Sequence, residues 1–137
     1  MNLSQTAEYA LRAAVCLAQA KPSQVLPAKT ITEQTGVPPA YLSKLLRRMV
    51  VNGILVAQKG HGGGFKLARP ALEISFYDVL DAVECLLEPD RCVFGLDKCN
   101  VDAPCALHDA WSGLNSSIVA WSKQHTLGGV KKLHKLS

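Results

Sequence analysis

The sequence predicts a mainly α-helical protein with a small β-hairpin: a winged helix-turn-helix followed by a long C-terminal dimerisation helix. Three observations lead there. Two short amphipathic segments flank the turn "GVPP", and the second is rich in Lys and Arg. Two apolar runs then enclose a glycine-rich basic loop, "KGHGGG". Residues 104–123 carry large apolar side chains at alternating steps of four and three.

In chain order, Leu3, Ala7, Ala10, Leu11, Ala14, Leu17 and Ala18 recur at helical spacing and predict a first helix over about residues 3–20. Pro22 and Pro27 punctuate a loop. "AKTITEQT", residues 28–35, is a short helix stopped by Gly36. Pro39 suits the first turn of the next helix, where a missing N–H costs nothing. That helix, "AYLSKLLRRMVVNG", buries Leu42, Leu45, Leu46 and Met49 and stops at Asn52-Gly53. "ILVAQ" and "FKLAR" are the strands of a hairpin, which after a helix-turn-helix is a wing. Ser75 and Asp78 form a capping box that opens a helix through "FYDVLDAVECLL". In the last helix Leu107, Trp111, Leu114, Ile118 and Trp121 form a short heptad seam suited to pairing with a second copy. Packing onto the same molecule's core is the alternative. Thr126 caps a short terminal turn in "HTLGGVKKL". The expected division is a DNA-binding unit over residues 1–75 and a second unit over 76–137. The latter holds the connecting helix, a cysteine-rich loop at 88–105 and the dimerisation helix.

Composition narrows the function classes. With 137 residues, 48% hydrophobic and 19% charged, the chain can bury a core and is not disordered by default. It has no run of about 18 apolar residues to span a membrane, and its start lacks the pattern of a signal peptide. A cytoplasmic location with reduced thiols is expected, and an odd count of five cysteines argues further against a disulfide scaffold. Charge is uneven: residues 1–69 carry nine Lys/Arg against two Asp/Glu, and residues 70–137 carry six against nine. A basic N-terminal half suggests a polyanionic partner. No nucleotide-binding loop or nucleophile–base pair points to an enzyme.

In a helix-turn-helix the N-terminal part of the second helix enters the major groove. Here it offers Tyr41, Ser43, Lys44, Arg47 and Arg48. Lys44 and Arg48 lie one turn apart on one face, Lys44 nearer the groove floor and suited to a guanine edge, Arg48 to a phosphate. Lys59, His61, Gly62 and Gly63 at the wing tip combine a cation, an imidazole and backbone that can approach phosphates closely. The bland reading is a solvated basic face. Turn, basic helix and glycine-rich wing in this order favour double-stranded DNA.

The stretch "CVFGLDKCNVDAPCALH" gathers Cys92, Cys99, Cys105 and His108 within 17 residues. Only Cys105 and His108 have the close spacing of a zinc knuckle, and three residues apart at a helix start they face one way. The longer spacers suit an iron–sulfur cluster, whose several irons spread the ligands. Zinc, redox-active thiols and metal-free thiols are the other readings. Cys16 and Cys85 fall within helices and are expected to be packing residues.

The succession "AEYALRAAV", "ITEQTGVPPAYLSKLLRRMVVNGIL", "KGHGGGFKLARP", "ISFYDVLDAVE", the cysteine loop and "TLGGV" resembles the Rrf2 family of bacterial winged-helix regulators, from Leu3 to about Val130. The resemblance implies a homodimer on a palindromic operator. It also implies an iron–sulfur cluster on Cys92, Cys99 and Cys105 whose state controls DNA affinity. Its fourth ligand is left open. Some members use a histidine just past the third cysteine and hold a 2Fe–2S cluster, and His108 matches that position. Others use a carboxylate from the partner's first helix and hold 4Fe–4S, and Glu8 lies where that residue would be. His108 is preferred, because imidazole is an established cluster ligand and needs no partner geometry. Glu8 could otherwise pair with Arg12. The function these readings converge on is a repressor responding to nitric oxide, redox or iron status. The alternatives are a cluster-free regulator of the same fold, sensing a small molecule or protein partner, and a zinc-stabilised interaction module.

Overall fold

Ser4 opens the first helix: its Oγ accepts the Ala7 N–H at 3.2 Å, capping α1 (Gln5–Ala18). The computed structural model describes residues 4–21, 24–84 and 108–130, leaving aside the side chains of His108, Asp109 and Trp111. The buried face of α1 is mostly small, with Ala7, Ala10, Ala13 and Ala14 beside Val15, Cys16 and Leu17. Neighbouring helices can therefore approach it closely, and α1 packs against the two helices that follow, the wing and the connecting helix.

Helix α2 (Ala28–Thr35) stops at Gly36, whose φ of +75° is the left-handed conformation that glycine adopts without strain. The buried Thr35 organises the turn: its Oγ1 donates to the Ile31 carbonyl at 2.6 Å and accepts the Val37 N–H at 3.3 Å. Pro39 begins α3 (Pro39–Val51), which buries Leu42, Leu45, Leu46 and Met49 as its spacing predicts.

Strands β1 (Leu55–Gln58) and β2 (Gly64–Leu67) pair antiparallel, Leu55 opposite Leu67 and Gln58 opposite Gly64. The loop after α1 adds a third partner that the sequence reading lacks. Leu26 and Phe65 exchange two backbone hydrogen bonds, at 2.9 and 2.8 Å. Gly64 makes this approach possible, because a Cβ there would stand 2.3 Å from the Leu26 carbonyl oxygen.

The capping box forms as expected. The Ser75 Oγ accepts the Asp78 N–H at 3.1 Å, and an Asp78 oxygen accepts the Ser75 N–H at 3.0 Å. Helix α4 (Phe76–Ala82) is shorter than predicted: Glu84, at φ +60°, leaves the helical path, and Cys85 to Leu87 lie outside the described residues. At this end the Ala82 carbonyl accepts from Asn52, the residue after α3, at 3.1 Å, and the Val83 carbonyl accepts from Arg48 of α3 at 3.4 Å.

Helix α5 (His108–Gln124) returns to the start of α4, where the Phe76 N–H donates to the His125 carbonyl at 2.9 Å. Trp121 meets Phe76 edge to face at 5.5 Å. Thr126 caps the 3-10 turn Leu127–Gly129 as expected. The described buried positions of α5 are not the predicted seam. Asn115 and Ser122 point inward, each 1% exposed, while Leu114 and Trp121 stay 45% and 39% exposed. Ile118 is half-buried; Leu107 and the Trp111 side chain lie outside the described residues. One apolar cluster joins Ile31, Leu42, Leu45 and Met49 to Ile74, Val79, Val83 and Leu127. Among the described residues no helix is long and apolar enough to cross a membrane.

Candidate nucleic-acid interface

With 3.6 residues per turn, burying Leu42, Leu45, Leu46 and Met49 turns Ala40, Ser43, Lys44, Arg47 and Val51 outward, and all five are exposed. Two open clefts run along this face. One, of about 360 Å³, is lined by Thr6, Ala40, Tyr41, Lys44, Leu45 and Arg48. The other, of about 370 Å³, is lined by Lys44, Arg47, Arg48, Val51, Asn52 and Glu84. Lys44 and Arg48 belong to both, and Glu84 is the one carboxylate among the described lining residues. The ion pair among the described residues, Arg69 with Asp78 at 3.7 Å, involves none of these cations. Such a face attracts polyanions.

The predicted residues differ in what holds them. Ser43, Lys44 and Arg47 reach into solvent. Tyr41 is half-buried and committed to the protein: its ring meets Tyr9 edge-on at 5.2 Å, and its hydroxyl shares a hydrogen bond with the Thr6 Oγ1. Arg48 is exposed, yet its Nη1 donates to the Val83 carbonyl at 3.4 Å. The residue lines both clefts. At the wing, Lys59, His61 and Gly62 are exposed. Gly63 answers to the hairpin itself, since a Cβ there would stand 2.3 Å from the Gln58 carbonyl oxygen, and its N–H donates to the Gly60 carbonyl at 2.9 Å.

Cys92, Cys99 and Cys105 lie outside the described residues, as does the His108 side chain, although His108 begins α5. Glu8 is exposed in the first turn of α1 and does not pair with Arg12. The Arg12 guanidinium sits 5.6 Å from the Tyr9 ring centroid and donates to the Thr35 carbonyl at 3.5 Å. Among the described residues no group of three His, Cys, Asp or Glu could hold a metal. Cys16 is buried as expected; its Sγ donates to the Gln34 Oε1 at 3.1 Å, and burial pushes the thiol pKa up.

Sequence reasoning missed Ala40, Thr6 and Asn52. Ala40 follows from the helical wheel once the buried leucines are placed. Thr6 and Asn52 act on partners 35 and 30 residues away, which no local pattern signals.

Comparison with known proteins places this face in context. A profile of the Rrf2 family, described as iron-dependent transcriptional regulators, matches residues 3–132. An HTH-type transcriptional regulator of Mycobacterium tuberculosis is 34% identical over 131 residues, 95% of this chain and 81% of the relative. The HTH-type transcriptional regulator IscR of Cronobacter sakazakii is 30% identical over 128 residues, 93% and 78% of the two chains. Two solved structures share the fold. IscR of T. potens superposes with a TM-score of 0.76 at 22% identity, covering 94% of this chain and 85% of that one. CymR, the global cysteine regulator of B. subtilis, gives 0.77 at 19% identity, covering 94% and 95%. An outward cationic helix beside a two-stranded wing, and a family match across nearly the whole chain, lead to one conclusion: the chain belongs to the Rrf2 family of winged-helix transcriptional regulators.

Proposed function

We propose that the chain represses transcription as a homodimer, reading a palindromic operator with α3 and the wing, with affinity set by an iron–sulfur cluster that senses nitric oxide, redox or iron status. The observation that carries the DNA part is the exposed stripe of Ser43, Lys44, Arg47 and Arg48. Lys44 projects from the middle of the stripe and reads a base edge, while Arg48, anchored to α4, meets a phosphate. Lys59 and His61 of the wing follow the neighbouring backbone. Tyr41 holds α3 on α1 and keeps this face in register. Leu114, Ile118 and Trp121 are the described part of the surface that pairs with a second copy.

Cys92, Cys99 and Cys105 hold the cluster, with His108 or the partner's Glu8 as the fourth ligand. Three thiolates and one nitrogen or oxygen donor suit iron. Glu8, exposed and unpaired with Arg12, is available to another subunit. The family's description as iron-dependent regulators supports the same assignment. When bound, the cluster supplies a centre that changes with redox state and nitric oxide.

Two measurements test this reading. Fluorescence anisotropy with an operator selected from random duplexes, at several salt concentrations, compares the wild type with Lys44→Ala. The variant loses about 1–3 kcal/mol on the operator and far less on random DNA; equal operator binding at every salt concentration sinks the base-reading role. Visible and electron paramagnetic resonance spectra of anaerobically purified protein, with iron, zinc and sulfide analysis, test the cluster. Colourless, iron-free protein from iron-replete cells overturns it, and stoichiometric zinc moves the assignment to a zinc module.

A further inference from the structure

We propose that the Pro38–Pro39–Ala40 tip of α3 reads a thymine 5-methyl group in the major groove, an inference that rests on α3 being the reading helix. Pro38 is the N-cap and Pro39 the first helical residue, so two positions that normally offer backbone N–H groups have none. No side chain caps this end either. A helix start commonly attracts phosphate through those donors. Here two of those donors are missing, and the exposed residues of the tip are Pro38, Pro39 and Ala40.

The surroundings select the occupant. Ala40 lines the same open cleft as Lys44 and Arg48, which draw in a polyanion. Ala40 and Lys44 are one turn apart, about 6 Å along the axis, or within about two base steps. An apolar tip set beside cations, on a helix that enters the groove by its N-terminal end, matches the one apolar group that base edges present there, the thymine methyl. Lys44 then takes the acceptor edge of a base close by.

The test uses the full chain and the selected operator, with each thymine replaced in turn by deoxyuridine, which removes the methyl and nothing else. For the wild type, one thymine per half-site shows about a fourfold loss of affinity, the size of one buried methyl group. Ala40→Gly and Ala40→Ser bind thymine and deoxyuridine duplexes equally at that position. Ala40→Ser guards against a helix weakened by glycine, and thermal melts establish that both variants are folded. Lys44→Ala weakens both duplexes together and leaves the fourfold ratio in place. The proposal is overturned if no thymine is sensitive, or if the ratio survives in both Ala40 variants while operator binding persists. A chain with no sequence preference at all overturns the reading role of α3 along with it, so the two failures are distinguishable.

Discussion

Asn52 at the end of α3 donates to the Ala82 carbonyl at the end of α4, at 3.1 Å. The same amide also donates to the Arg48 carbonyl at 2.8 Å, and Arg48 donates to the Val83 carbonyl at 3.4 Å. Two carbonyls at the end of α4 therefore accept from side chains at the end of the cationic helix. Asn52→Ala removes two of these bonds. It lowers unfolding stability by about 1–2 kcal/mol, seen as a lower urea midpoint at unchanged slope. An unchanged midpoint means that water replaces the amide without cost.

Glycines at 64 and 113 predict opposite outcomes for the same substitution. A Cβ at Gly64 collides with the Leu26 carbonyl group and with Pro27, whereas one at Gly113 in α5 meets nothing within 4 Å. Gly64→Ala separates Leu26 from Phe65 and destabilises the fold by about 1–3 kcal/mol. Faster amide exchange at both residues locates the damage. Gly113→Ala stabilises by about 0.5–1 kcal/mol, because alanine is the better helix former. A Gly64→Ala protein with wild-type exchange at Leu26 and Phe65 would refute the packing role.

Burial raises the Cys16 thiol above its ordinary pKa of 9.0, and this makes stability depend on pH. The unfolded chain releases the proton more readily than the folded one. The thiol's contribution is therefore fully present below pH 9.0 and is lost as pH rises from there through the folded value. Cys16→Ala, compared with the wild type between pH 8 and 10.5, has the shallower decline. Parallel curves count against the buried thiol as the source.

Leu114 and Trp121 flank α5 with large apolar surfaces that the described residues leave partly uncovered. If they pair with a second copy, Leu114→Glu shifts sedimentation from dimer to monomer at micromolar concentration. Leu114 is chosen over Trp121 because Trp121 also packs on Phe76, so changing it would confound association with folding. A Leu114→Glu protein that stays dimeric places the interface elsewhere.

Most local features were legible. The spacing of Leu42, Leu45, Leu46 and Met49 named both the buried and the outward face of α3, and Ser75 with Asp78 announced the α4 start. Such signals lie within one or two turns of chain, where periodicity and capping act. That Tyr41 is tied to Thr6 and Tyr9 has no local signal, because both partners lie more than 30 residues away. The end of α4 had no local signal either: apolar spacing continues past Ala82, and the bonds that Asn52 and Arg48 make to the Ala82 and Val83 carbonyls come from 30 or more residues away.

By itself the sequence determined the order of helices and strands, the caps, the cationic stripe and the grouping of thiols, since each depends on neighbours along the chain. The tertiary structure decided which parts meet: Leu26 beside Phe65, Thr6 on Tyr41, and Asn52 on the α4 terminus. It also turned Asn115 and Ser122 of α5 inward and left Leu114 and Trp121 at the surface. Those choices rest on close packing and on satisfying buried polar groups, which act between surfaces brought together only by the fold.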